Sequence, residues 1–162
     1  MSENTTGILL INLGSPKKLT KKSVREYLKV FLSDDYVLDL PKILQQIILR
    51  VFILPFRPKK TLEAYELIWT PKGSPLIIST ESIAKKLSLK TGWDVDYAMR
   101  YEDPSIENAL LNFKNKGIYK IIVISLYPHN ALATTITTEM ETRIVAYKLS
   151  EDFELVFTKP FF

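Results

Sequence analysis

Four places in this chain gather side chains able to hold a charged or flat ligand. Arg100 and Tyr101 close the apolar stretch Trp93–Met99. An arginine offers a fixed fork of donors to a carboxylate, and a tyrosine offers a flat face and a hydroxyl. Together they suit a planar ligand with acidic substituents, although an ordinary surface arginine here would simply pair with Glu102 or Asp103. Tyr127-Pro128-His129-Asn130, followed by Thr134-Thr135, closes a second apolar stretch, Tyr119–Tyr127. His129 is the sole histidine and a candidate base or ligand; a lone loop histidine more often does neither. A third stretch, Ile8–Asn12, ends in Leu13-Gly14-Ser15-Pro16. This loop is neither GxGxxG nor GxxxxGK[ST], so it does not argue for a nucleotide, and an ordinary tight turn fits it equally well. Arg57, Lys59 and Lys60 form the fourth place. They follow Ile43–Phe56 (ILQQIILRVFILPF), in which only Gln45, Gln46 and Arg50 are polar. Such a segment is a buried core helix, an apolar lid for a hydrophobic ligand, or an amphipathic lip on a membrane surface. Its place between the first strand and the rest of the chain favours the lid.

The elements that must position these groups follow from periodicity. Ile8–Asn12 is a continuous apolar run of the kind buried on both faces of a sheet. Thr20 is the expected N-cap of a helix carrying Val24, Tyr27, Leu28, Phe31 and Leu32, and Ser33-Asp34-Asp35 ends it. An apolar stretch over 41–56 runs to a basic break at Arg57-Pro58-Lys59-Lys60, then a short helix over 62–69 and a turn cluster at 70–75. A helix over 76–90 stops at Gly92, and a strand over 93–99 follows. Asp103 is the expected N-cap of the next helix, with Pro104 in its first turn. The strand over 119–127 is the strongest in the chain. The helix over 131–149 has a threonine-rich start that propensity disfavours, and a fourth strand covers 153–158. Strands alternating with helices predict an α/β fold: a four-stranded parallel sheet with helices on both faces and a helical insert at about 31–72. Ligands of such sheets bind beyond the carboxyl ends of the strands, where the first three of the four places fall.

Composition narrows the function further. The 162 residues are 46% hydrophobic and 25% charged, with a net charge of +4 spread along the chain. No basic tract argues for nucleic acid as a partner. No apolar run reaches the roughly 20 residues that span a bilayer, and Met1–Thr6 lacks the pattern of a secretory signal. There is no cysteine, which removes disulfides and thiolate metal sites. The expectation is a cytoplasmic protein able to rest on a membrane periphery.

Several segments, in order, resemble one family: NLGSP, FLSDDYVLDLP, ILPFRPKK, AYELIWTPKGSPL, AMRYEDPSIENAL and SLYPHNALATTITT. The chain resembles ferrochelatase, which inserts ferrous iron into a porphyrin to form haem. The RPKK, GSPL, MRY and LYP blocks look closer to the protoporphyrin-using branch than to the coproporphyrin branch. The resemblance implies a chelatase-like fold of two similar α/β domains around a porphyrin cleft, of which 1–162 corresponds to the first. The family's metal-inserting histidine, in a SAHSLP-type motif, and its acidic partner belong to the second domain. His129 is not that histidine. No metal ligand is expected within the chain, and unaided activity is expected to be small.

Position by position, the resemblance implies that Leu13 sits over the macrocycle and that Arg57 and Lys60 meet propionates, with Ser74 nearby. Arg100 and Tyr101 line the wall, and Tyr127 the floor. The segment from Phe31 to Phe56 forms an apolar lip, with 43–56 at a membrane surface. No permanently bound cofactor is implied; the substrates are ferrous iron and protoporphyrin IX, and the partner is a second chelatase domain or chain. Two other readings stay open: a half-size tetrapyrrole chelatase that pairs with itself, and a non-catalytic porphyrin-binding or membrane-associated module.

Overall fold

The computed structural model describes residues 6–128 and 131–159. The chain divides into two compact units, one combining the chain up to Leu13 with the chain from Ser79 onward, the other Gly14–Ile78.

The first unit is built on a parallel sheet. Strands β1 (Thr6–Asn12), β2 (Asp94–Met99), β3 (Lys120–Ser125) and β4 (Glu154–Phe157) lie in the order β2-β1-β3-β4. All three pairings are parallel. Alternate residues of β1 feed opposite layers. Leu9 and Ile11 join Ile121 and Val123 against Leu110 and Phe113 of helix α5 (Ile106–Asn115) and Ala146 of helix α6 (Thr137–Leu149). Ile8 and Leu10 join Ile122 and Ile124 against Ala84 and Leu87, which belong to the part of helix α4 (Pro75–Thr91) that lies in this unit. Helices therefore cover both faces, as the alternating elements require. Gly7 is needed for closeness: a Cβ there would lie 2.5 Å from the Phe113 ring and 3.2 Å from Ile121 Cδ1. Gly92 ends α4 at φ +72°, where its N–H reaches Ser88 O at 2.8 Å, the expected glycine stop.

Two local expectations in this unit shift. The cap of α5 is Ser105 instead of Asp103: Ser105 Oγ accepts from Asn108 N at 3.2 Å. Pro104 is outside the helix because its carbonyl is committed to the sheet, accepting from Met99 N at 2.7 Å. The helix after β3 starts as a π turn, Leu132–Ile136, before becoming α6.

The second unit is helical. Helix α1 (Lys21–Leu32) has the expected Thr20 cap, whose side chain accepts from Ser23 N. Helix α2 (Lys42–Ile47) runs through a π turn (Ile48–Ile53) into helix α3 (Leu54–Glu66). Val24, Leu28, Leu32, Leu49 and Leu54 form its core. The basic break expected at Arg57–Lys60 is absent, and these residues lie inside α3. Pro55 stands in the first turn of α3, where a missing N–H is cheap. Pro58, inside the helix, lacks the N–H that would donate to the Leu54 carbonyl. The π turn gives the joint its wider spacing, Leu54 N–H reaching back five residues to Leu49 O.

Candidate functional site

Three strand ends are tied together in the sheet unit. Beyond β2, Arg100 N donates to Asn12 O at 2.8 Å and Tyr101 N to Leu13 O at 3.2 Å; beyond β3, Leu126 N donates to Ile11 O at 2.8 Å. Backbone hydrogen bonds thus continue past the ladder and align the residues that follow β1, β2 and β3. Asn12 braces its own turn, Oδ1 accepting from Leu13 N at 2.8 Å and Nδ2 donating to Thr80 Oγ1 at 3.1 Å. Leu13 is half-buried.

Arg100 is largely withdrawn from the surface. Its side chain is only 14% exposed; Nη2 donates to Thr137 Oγ1 at 3.0 Å and lies 3.8 Å from Glu141 Oε2. The guanidinium carbon stands 4.6 Å from the centre of the Tyr101 ring, within cation–π range. Tyr101 and Tyr127 are both buried. Thr138 Oγ1 donates to the Tyr127 hydroxyl at 3.3 Å. Burial pushes the Tyr127 phenol above its ordinary value, while the Thr138 hydrogen bond and the nearby Arg100 charge pull it partly back. A cavity of about 270 Å³ opens beside this cluster, lined among others by Arg100, Tyr101, Glu102, Glu107 and Glu141.

Sequence reasoning names Arg100, Tyr101 and Tyr127 but misses Thr137, Thr138 and Glu141. The available signal was the threonine run Thr134-Thr135-Ile136-Thr137-Thr138, which reads as poor helix propensity. Thr135, Thr137, Thr138 and Thr142 are in fact buried, and the hydroxyls of Thr137 and Thr138 meet the residues at the strand ends. His129 lies outside the described residues. Among the described residues no group of three or more His, Cys, Asp or Glu side chains could hold a metal ion.

In the helical unit, Arg57 and Lys60 fall three residues apart on α3, a spacing that puts both on one face. Both are exposed, as is Lys59. Ser74 is buried, its carbonyl accepting from Ile78 N at 3.1 Å at the start of α4. The apolar segment 43–56 turns much of its bulk outward: Ile43, Leu44, Ile47, Val51, Phe52 and Phe56 are exposed, with Ile43 at 80% and Phe56 at 73%. Gln45, expected on the polar side, is completely buried; its Nε2 donates to Asp34 O at 3.2 Å and Leu38 O at 3.4 Å. An open groove of about 440 Å³ runs beside Ile43, Ile47, Arg50 and Val51. Among the described residues, no helix is long and apolar enough to cross a membrane.

The sequence model of the family described as ferrochelatase matches residues 5–162. The chain belongs to the ferrochelatase family. Its curated relatives include the ferrochelatase of Idiomarina loihiensis, 42% identical over 138 residues, which covers 82% of this chain and 38% of the relative. The ferrochelatase of Francisella tularensis subsp. holarctica is 43% identical over 149 residues, covering 90% of this chain and 45% of the relative. That of Coxiella burnetii is 40% identical over 144 residues, with 88% and 41% covered. The chain therefore spans less than half the length of these relatives.

Proposed function

We propose that this chain is the porphyrin-binding part of a ferrochelatase, the lyase that inserts ferrous iron into protoporphyrin IX to form protohaem. The observation that carries the reading is the family match over 5–162 joined to the cluster at the strand ends. Arg100 lies over Tyr101, and Tyr127 is held by the start of α6. Arg100, Tyr101, Tyr127 and Leu13 are assigned to the wall, floor and face of the macrocycle site, Arg57 and Lys60 to its propionates, and Ser74 to their support. Metal insertion requires loss of two pyrrole protons and bending of a rigid ring. A preformed wall contributes where it fits the bent ring better than the flat one. Among the described residues the carboxylate nearest Arg100 is Glu141, 3.8 Å from its Nη2 and engaged by that charge, and the resemblance places the metal-inserting histidine and its acidic partner outside this chain. The base is therefore assigned to a second domain or partner chain, and the 162 residues alone are expected to insert little iron.

The exposed apolar surface of 43–56, followed by Arg57, Lys59 and Lys60, supports a peripheral membrane contact. Apolar side chains would enter the interface and the cations would meet anionic head groups.

Anaerobic titration with protoporphyrin IX, followed by the Soret band and fluorescence quenching, tests the reading. The expected result is saturable binding, with insertion of ferrous iron rising only when a second chelatase domain is added. An Arg57→Ala/Lys60→Ala variant is expected to bind roughly 3- to 10-fold more weakly per lost contact, since both cations are exposed and solvent-screened. Absence of saturable porphyrin binding would overturn the proposal, and so would unaltered affinity in the double variant for its propionate assignment.

A further inference from the structure

The first turns of helix α6 bury hydroxyls, whereas its later turns pack Val145, Ala146 and Leu149 on the sheet core. Thr137, Thr138 and Thr142 are at most 1% exposed, whereas Met140, Ile144 and Tyr147 of the same helix are 43%, 45% and 70% exposed. A hydroxyl withdrawn from water costs free energy unless it is hydrogen-bonded, so an apolar residue at these inward positions would serve stability at least as well. The hydroxyls have other work. Thr142 Oγ1 donates to its own helix, at Thr138 O, 2.7 Å away. Thr137 and Thr138 instead reach the strand ends, one accepting from Arg100 and the other donating to Tyr127. One turn after Thr137, Glu141 brings a carboxylate to 3.8 Å from Arg100 Nη2. The π turn Leu132–Ile136 leads directly into these residues, and such turns often mark functional positions.

We propose that Thr137, Thr138 and Glu141 are positioning residues that fix Arg100 and Tyr127, and that Glu141 sets carboxylate selectivity by compensating the Arg100 charge. Resting on the porphyrin reading, the inference specifies which acidic ligands that wall accepts. Arg100 is oriented by Thr137 and Tyr101 and already faces one carboxylate. A ligand carboxylate brought to the same fork would lie close to Glu141, and like charges at such range disfavour each other. Arg100 then acts as a braced, neutralised plane against a flat ring, and a porphyrin bearing additional carboxylates gains nothing there.

The test uses the full chain with two independent readouts. Side-chain NMR of Arg100 without ligand reports the brace. Restricted guanidinium rotation is expected in the wild type and in Thr137→Ser, and free rotation in Thr137→Val. Equal rotation in Thr137→Val and wild type would overturn the brace. Fluorescence titrations with protoporphyrin IX, which has two carboxylates, and coproporphyrin III, which has four, report the consequence. Thr137→Val is expected to weaken protoporphyrin binding at least threefold, with Thr137→Ser restoring it and Thr91→Val, on a distant exposed hydroxyl, having no effect. Glu141→Gln is expected to raise coproporphyrin affinity relative to protoporphyrin at least threefold. An unchanged ratio would overturn the selectivity role. If the wild type binds neither porphyrin while the Arg100 resonances behave as expected, the porphyrin reading fails and the brace stands.

Discussion

In the sheet unit, Leu9, Ile11, Leu110, Phe113 and Ile121 are withdrawn from water almost completely, and each touches the layer its strand or helix position dictates. In the helical unit, the buried residue of α2 is Gln45, while Ile43, Leu44 and Ile47 of the same helix face outward. The first arrangement is what hydrophobic burial alone would select. The second gives up that term over several large side chains, which exceeds the scattered apolar exposure normal for a soluble surface. The sheet unit is expected to carry the larger share of stability, and the proposed membrane contact would give the outward apolar surface of the helical unit a use. The first turns of helix α6 repeat the inversion on a smaller scale, at the cluster around Arg100 and Tyr127.

Substitution separates the two regimes. Phe113→Ala removes a ring that is 1% exposed and is expected to cost about 3–5 kcal/mol in denaturant unfolding, from lost transfer energy and a residual cavity. A cost below about 1 kcal/mol would show that the sheet core is not the main source of stability. Gln45→Ala is expected to cost about 1–3 kcal/mol, because it removes two buried hydrogen bonds worth roughly 0.5–1.5 kcal/mol each, while Asp34 O keeps Val37 N and Leu38 N and Leu38 O keeps Leu40 N. A neutral outcome would make the buried amide incidental. Phe52→Ser/Phe56→Ser should leave unfolding within about 0.5 kcal/mol, as exposed positions do. The same variant should lower partition onto anionic vesicles by about tenfold or more through lost apolar insertion. Wild-type partition in this variant would refute the membrane contact, and a large stability loss would return the segment to the core.

The contrast also explains what the sequence disclosed. Strands β1 and β3 announce themselves because continuous apolar runs and burial on both faces are the same fact seen twice. Thr20 and Gly92 are legible because caps depend on one residue's own chemistry. Arg57–Lys60 misleads: prolines and cations normally punctuate, but a π turn just upstream lets the helix pass through them. Gln45 misleads in the opposite sense, since residue type favours water and only two distant carbonyls reverse that preference. The partners of Arg100 were out of reach because Thr137 and Glu141 lie 37 and 41 positions away, and nothing local marks their hydroxyl or carboxylate as facing a strand end.

The smallest expected effect probes Tyr127 within the braced cluster. Desolvation raises its phenol pKa above the ordinary value in the folded chain, whereas the unfolded chain releases that proton near pH 10. Between these two points the native state holds a proton that the unfolded state has lost. Stability is therefore fully present below about pH 10 and falls as pH rises through the folded pKa. Tyr127→Phe cannot titrate, so its stability should decline less steeply with alkaline pH than that of the wild type. Tyr65 and Tyr97, whose pKa values are raised chiefly by burial as well, remain in both proteins, and the difference in slope isolates Tyr127. Paired urea unfolding curves from pH 9 upward measure it. Parallel slopes would mean that the Tyr127 ring is not sequestered at the strand ends, and the support that Thr138 gives it would lose its purpose.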